Sequence, residues 1–291
     1  PIQSGNIMNE GIEMALGYNK QWKDFSFNTN YTLTWNKNRV KRLADGVYNY
    51  ATGQSIQMPE LSPLTYGHTD ARLILRVGGS MGDVYGQRLL KRDLNGYILN
   101  EEGVGLTMEN KETYLGSILP KMNMGWSLGF GYKGVNLGMT FTGRFGGIVI
   151  SETQSVLDAA GVSKVSADVR DAGGVQINQG KVSAQTYYQA IQGTAAYYTY
   201  SATNVRLGEL SLSYTLPKKW FDNKVGMTVG LVGKNLWMIY CKAPFDPELT
   251  TSAASNFYQG FDAYMLPSTR NFGFNIKSVS YTHLRAHETE L

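Results

Sequence analysis

Along much of this chain, large apolar residues occupy every second position. The clearest run is 122–142. Met122, Met124, Trp126, Leu128, Phe130 and Tyr132 alternate with Asn123, Gly125, Ser127, Gly129 and Gly131. After Lys133-Gly134 the pattern resumes, with Val135, Leu137, Met139 and Phe141 set against Asn136, Gly138, Thr140 and Thr142. Period two gives a strand one apolar and one polar face. The same device appears at Ile12–Tyr18, Phe25–Trp35, Leu210–Leu216, Val225–Leu231 and Phe272–Ile276. Strands of about ten residues are long enough to cross a bilayer at a tilt. The polar positions carry mostly Gly, Asn, Ser and Thr, as in a crowded barrel lumen, where a surface facing bulk water would carry more Lys and Glu. Six of these runs are counted as clear strands, and the stretch 37–121 has room for an extra pair.

Composition sharpens this picture. The chain has 291 residues, 33 Gly and 19 Tyr, which favours β structure. Mean hydropathy is −0.27 and no long apolar run exists, so a transmembrane helix is excluded. A membrane barrel is not, because its strands are apolar at alternate positions only. The net charge of +4 is modest and no dense Lys/Arg cluster points to nucleic acid. The single Cys241 allows no internal disulfide and is expected among Ile239, Tyr240 and Phe245. The chain starts at Pro1 and reads as the carboxy-terminal piece of a longer protein.

Connections alternate in length. Short turns lie at 20–24, 133–134 and 217–224, and long polar segments at 37–121, 147–203 and 241–267. Membrane barrels have short periplasmic turns and long external loops, which orients the chain. Trp22 and Trp220 fall at the short turns, Trp35 and Trp237 at the far strand ends, giving two aromatic belts. Trp126 fits neither. Within the second long segment, Ser151–Gly161 is expected as a short helix with Val156, Leu157 and Ala160 on one face.

Little in the chain suggests catalysis. Gly129–Gly134 matches G-x-G-x-x-G, but period two continues after it where a dinucleotide site needs a helix. Gly226 and Gly230 form a helix-dimer spacing inside a strand, where it has no meaning. Asp83, Asp93, Glu101 and Glu102 lack any spacing that would pair them as glycosidase acids. His283 and His287 sit four apart, but in a tail, 278–291, whose SVSYTHLRAHETEL breaks the style of all that precedes it. That tail resembles a translated sequencing-library adapter and is set aside as non-native. His68 is then the only native histidine, so neither a catalytic site nor a metal site is expected. Candidate substrate contacts are the tyrosines of the second long segment, Tyr187, Tyr188, Tyr197, Tyr198 and Tyr200, and the polar-face charges Arg144, Arg206 and Glu209, with Glu13 alongside. The plainer readings are that the tyrosines glue loops together and that the charges pair with one another or with a plug.

Several runs resemble one family. YSATNVRLGELSLSYTLP (200–217), GKNLWMIYCKAPFDPEL (233–249) with its Asp246-Pro247-Glu248, LPSTRNFGFNIK (266–277) with Pro267 and Arg270, and the stretches 9–43 and 115–147 are similar to SusC/RagA-type TonB-linked outer-membrane receptors. The resemblance implies an all-β fold, residues 1–277 forming the carboxy-terminal part of an antiparallel transmembrane barrel of about 22 strands. It also implies import of glycans or oligopeptides, a SusD-like lipoprotein lid, TonB acting through an amino-terminal plug, an outer-membrane location in lipid, and no cofactor. The chain departs from the family in lacking the plug, the other strands and a terminal aromatic residue. Its open edges would leave backbone groups unpaired in hydrocarbon, at several kcal/mol each. Residues 1–277 alone are therefore expected not to form a protease-resistant barrel. Two rivals stay open: a passive porin or adhesin barrel, and a secreted β-sandwich that binds carbohydrate. In a sandwich, the large side chains would pack inward.

Overall fold

A computed structural model describes residues 5–280 except 103, 104, 222, 223, 250 and 252–255. The tail beyond Ser280, with His283 and His287, lies outside the described residues.

Seven antiparallel strands make one sheet, each paired with its neighbour in the chain. They are β1 (Asn6–Trp22), β2 (Phe25–Arg42), β3 (Met122–Tyr132), β4 (Val135–Phe145), β5 (Asn204–Thr215), β6 (Val225–Cys241) and β7 (Asn271–Ser280). β1 and β7 each have one free edge among the described residues, so the sheet is a portion of a barrel wall. Seven wall strands correct the count of six, and the room left for a pair within 37–121 is not used by the wall. All four strand-length runs within 60–117 belong to a separate sheet, of order Met108–Ser117, Asp83–Leu90, Arg72–Arg76, Glu60–Thr65. They are short and carry buried residues in blocks, such as Leu73-Ile74-Leu75, where a wall strand alternates. β7 runs through Ser278–Ser280 to pair with Met227, Gly226 and Val225, three residues past the expected end.

Register explains how alternation becomes two faces. One row crosses six strands as Leu16, Tyr31, Trp126, Phe141, Leu207 and Trp237. A neighbouring row crosses all seven as Gly17, Asn30, Ser127, Thr140, Glu209, Lys234 and Asn271. Both rows hold only because β5 is bulged at Gly208: Leu207 pairs with Phe141 and Glu209 with Thr140. If Gly208 instead took its own place in an unbulged ladder, Arg206 and Glu209 would lie on opposite faces.

Among the described residues, no other element packs against the apolar face. Leu231 is 65% exposed and Phe274 78%. Rings meet only within the face, as Phe27 with Phe130 at 5.2 Å between centroids. Trp126, the one belt misfit, lies in this face and donates from Nε1 to Thr29 Oγ1 at 2.9 Å. A surface of this kind marks a face that lipid or another protein covers. A sandwich needs these side chains buried, and they are not. The Lys133-Gly134 hairpin has φ of 45° and 88°, positive at both central residues, as a tight hairpin with the sheet's own twist requires. A side chain at Gly134 would also meet the Thr215 carbonyl.

The true core lies outside the wall. The three long segments fold together beyond the strand ends into one body. Tyr66, Leu73, Val84 and Ile118 from the first segment, Ile150 and Ala195 from the second, and Phe261 from the third form a single buried cluster. Three short helices sit beside it: α1 (Glu152–Ala159), α2 (Lys164–Asp171) and α3 (Ala184–Ile191). Each starts on a serine whose hydroxyl accepts from the third helical N–H: Ser151 from Gln154, Ser163 from Ser166, Ser183 from Thr186. α1 matches the expected helix, but its buried stripe is Glu152, Ser155 and Asp158, and Leu157 is exposed. The expected face is wrong because α1 packs through hydrogen bonds: Ser151 donates to Asp262 at 2.6 Å and Ser155 accepts from the Gly193 N–H at 2.9 Å.

Candidate functional site

Where the polar wall face meets the body, a cavity of about 1040 Å³ opens. Asn9, Gly11 and Glu13 of β1, Thr34, Asn36 and Asn38 of β2, and Asn123 of β3 form its wall side. Gly78–Ser80, Asp83, Tyr114, Ser117 and the stretch Leu119–Lys121 form its roof. Strand parity delivers the wall residues: odd positions of β1 and even positions of β2 face the same way under the register Glu13 to Thr34.

The roof is fixed to the wall by main-chain bonds. Val40, fully buried, exchanges bonds with Gly78 and Gly79 at 2.8 Å each. Asn38 Oδ1 accepts from the Met81 N–H at 2.7 Å, and its Nδ2 donates to Asn9 Oδ1 at 2.8 Å. Inside the roof, Asp83 accepts from the Ser80 N–H at 2.8 Å and from the Tyr114 hydroxyl at 3.1 Å. Burial pushes the Asp83 carboxyl above its ordinary value despite those two bonds. Burial and the neighbouring Asp83 push Tyr114 to about 12. By the same parity the Glu10–Lys37 pair, 4.0 Å apart, and Arg39 fall on the other face, and the charges on the cavity side are Glu13, Asp83 and Lys121. The cavity thus offers amide groups and both signs of charge.

A second cluster ties the third long segment to the wall. Arg206 makes a bidentate pair with Asp246, at 2.9 and 2.8 Å. Its Nε and Nη2 also donate to Asn204 Oδ1, while Asn204 Nδ2 donates to Glu248 at 3.0 Å. Asp246 feels burial first, which raises its carboxyl, but the Arg206 bonds outweigh it and hold the group below the usual carboxylate range. Both partners of this pair come from the runs 200–217 and 233–249.

The other expected contacts divide. Tyr188 and Tyr198 are buried in a second body cluster with Leu90, Ile98, Ile177 and Ile191, and Tyr187, Tyr197 and Tyr200 pack against it. Tyr197 accepts from the Leu90 N–H at 3.0 Å, and the Tyr200 ring sits 5.6 Å from Phe245. Burial pushes both Tyr187 and Tyr200 to about 12. These rings glue the body together in this structure. Arg144 donates to the Ile118 carbonyl at 3.1 Å, and Glu209 faces Lys234 at 3.6 Å, both on the polar side. Asp83, Asp93 and Glu101 are not brought together: Asp93 caps its own turn and Glu101 lies 3.8 Å from Lys91. Cys241 is half-buried near the Ala243 and Phe245 carbonyls. His68 touches the buried Glu152 at 2.9 Å. No group of three metal-ligating side chains occurs among the described residues. Polar-face parity announced Glu13. It could not announce Asp83 and Tyr114, since the roof strands do not alternate.

Comparison with known proteins supplies a context for this geometry. The chain is 24% identical over 303 aligned residues to TonB-dependent receptor P3 of Formosa agariphila, a match covering 94% of this chain and 29% of that receptor. Its fold superposes on the RagAB peptide transporter with a TM-score of 0.63 at 17% identity, covering 94% of this chain and 30% of the other. The closed-closed state of the RagAB peptide importer gives 0.61 at the same identity and coverage. The chain thus spans about three-tenths of the length of each protein it matches. No family model matches the sequence.

Proposed function

We propose that this chain is wall and external-loop structure of a TonB-dependent, SusC/RagA-type importer in a Gram-negative outer membrane. Residues 1–277 would be the barrel portion and 278–291 a non-native tail. The single observation that carries the reading is the pairing of an unpacked apolar face with a polar face roofed by the body, leaving the 1040 Å³ cavity on the inner side. Binding and passage, with no chemical step, is what such a surface does. Energy would come from TonB through a plug elsewhere in the protein, and a SusD-like lipoprotein would close over the external loops.

Between oligopeptide and glycan, the cavity favours oligopeptide. Four asparagines at 9, 36, 38 and 123 and charges of both signs match main-chain amides and zwitterionic ends. Sugar rings prefer exposed aromatic platforms, and the five segment tyrosines are packed away. Among the candidate contacts, Glu13, Glu209 and Arg144 are assigned to the passage lining, while Arg206 and the tyrosines hold the loops in place.

Uptake of a labelled oligopeptide by cells carrying the complete gene tests this. Uptake should vanish without TonB and fall severalfold in Glu13→Ala. TonB-independent uptake would favour the porin rival. Fractionation to the soluble periplasm would overturn the membrane reading altogether. Competition by glycan and not by peptide would reverse the substrate choice.

A further inference from the structure

The three helices of the body enclose a pocket that no part of the passage uses. It measures about 410 Å³ and lies between the end of α1, the face of α2 and the start of α3. Asp158, Ser166, Arg170, Gln185 and Tyr188 give it its polar groups. Asp158 is only 4% exposed. One oxygen accepts from Gln154 Nε2 at 2.6 Å, and no cation pairs with the carboxylate among the described residues. A buried carboxylate with one neutral hydrogen bond is costly unless a positive charge meets it.

The neighbouring cations are engaged elsewhere. Arg170 is largely exposed and its Nε lies 3.6 Å from Asp171, and Lys164 pairs with Asp168 at 2.6 Å. Tyr188 also lines the pocket, is 6% exposed, and its hydroxyl has no hydrogen-bond partner among the described residues. The Tyr198 hydroxyl nearby is buried and equally unpartnered. Burial first, then the Asp158 charge, raises Tyr188 above its ordinary value, which places the carboxylate's field at that hydroxyl. The two groups are a hydrogen-bond acceptor and a hydroxyl able to accept a second N–H. Gln185 and Ser183 complete a polar rim, and Ala159, Ala160 and Ala184 give apolar walls.

We infer that this pocket binds a small alkylammonium ion, with the ammonium on Asp158 and the methylene chain against the alanines. Nothing in this inference depends on transport: it stands on the helix cluster alone.

Calorimetry on the complete purified protein tests it, using cadaverine as the probe and its neutral N,N′-diacetyl derivative as the control. Cadaverine should bind, more weakly as salt rises, and the neutral derivative should not. Asp158→Asn should weaken binding by about tenfold or more, since an ionic hydrogen bond is lost. Tyr188→Phe should weaken it by less. Arg170→Ala, which removes like charge from the rim, should tighten it. Binding of equal strength by Asp158→Asn with an unchanged melting curve would overturn the inference. So would equal binding of the neutral derivative, or no binding of cadaverine to the unmodified protein. If Asp158→Asn does not fold, the charged and neutral probes on the unmodified protein decide the matter.

Discussion

The wall and the body are built from the same chain on opposite rules. In the wall, large side chains point outward and small polar ones inward, and the strands contribute almost nothing to any buried cluster. In the body, Ile150, Val84 and Tyr66 are fully buried, and polar groups such as Asp70 are spent as internal fasteners, accepting from the Gln87, Arg88 and Ala195 N–H groups. The difference shows that apolar alternation alone does not locate a core. The surroundings do: the wall presents its greasy side outward, while the body hides its own from water.

The link between the two regions is the strongest place to break that comparison. Arg206→Ala leaves Asp246 and Asn204 without their partner in a largely buried site. It should cost about 3–5 kcal/mol, the usual loss when one member of a buried pair is removed. Denaturant unfolding of the complete protein in liposomes measures it, and a loss under 1 kcal/mol would show that the pair is ornamental. The same link has a defined pH response. The Asp246 carboxyl is depressed, so its contribution is full above the unfolded carboxylate pKa of about 4 and fades only as pH falls below that. An acid titration in which loop anchoring weakens near neutral pH would contradict this assignment.

Within the body, Ile150→Ala should cost about 2–5 kcal/mol, because a fully buried β-branched side chain leaves a cavity. Hydrogen exchange should show the loss confined to 60–90, 148–200 and 261–264, with the wall amides protected as before. In the wall, Leu231→Arg is the sharper test. On a water-facing surface, a residue 65% exposed would tolerate the change almost freely. Against lipid, the cost is about 2–4 kcal/mol near the bilayer middle. Equal stability of this variant in liposomes would remove the distinction between the two regions. Ser183→Ala is the mildest test, an expected loss of about 1 kcal/mol from the α3 cap, read as local exchange in 184–191.

The wall was largely legible in the sequence because a two-residue period is a local signal. Its hairpins and its faces follow from it, but Trp35 and Trp237, expected at the far strand ends, lie inside β2 and β6. The strand count was less so, since β1, β2 and β6 run to 17 or 18 residues and their outer ends lose the alternation. The body was almost illegible. Its core joins Tyr66 to Ile150 and Phe261, contacts that no window of sequence contains. Residues 37–121 therefore read as loop with room for wall strands. The tyrosine cluster was noticed for its composition, yet composition cannot say whether a ring faces a ligand or a neighbour. Arg206 was placed on the correct face, while its partner 40 residues away was only a family-like tripeptide until the fold closed the distance.

Gly208 carries a consequence larger than its size. Because the bulge sets Gly208 outside the ladder, deleting that residue would leave both faces of β5 in place, whereas drawing it into the ladder would turn Arg206 onto the apolar face, or else rotate Leu210, Leu212 and Tyr214 onto the polar one. Substitutions along this strand change one side chain at a time, whereas a residue gained elsewhere in it, with no bulge to absorb it, would invert the part beyond. A one-residue loss at position 208 should accordingly be tolerated where a one-residue gain elsewhere in β5 is not.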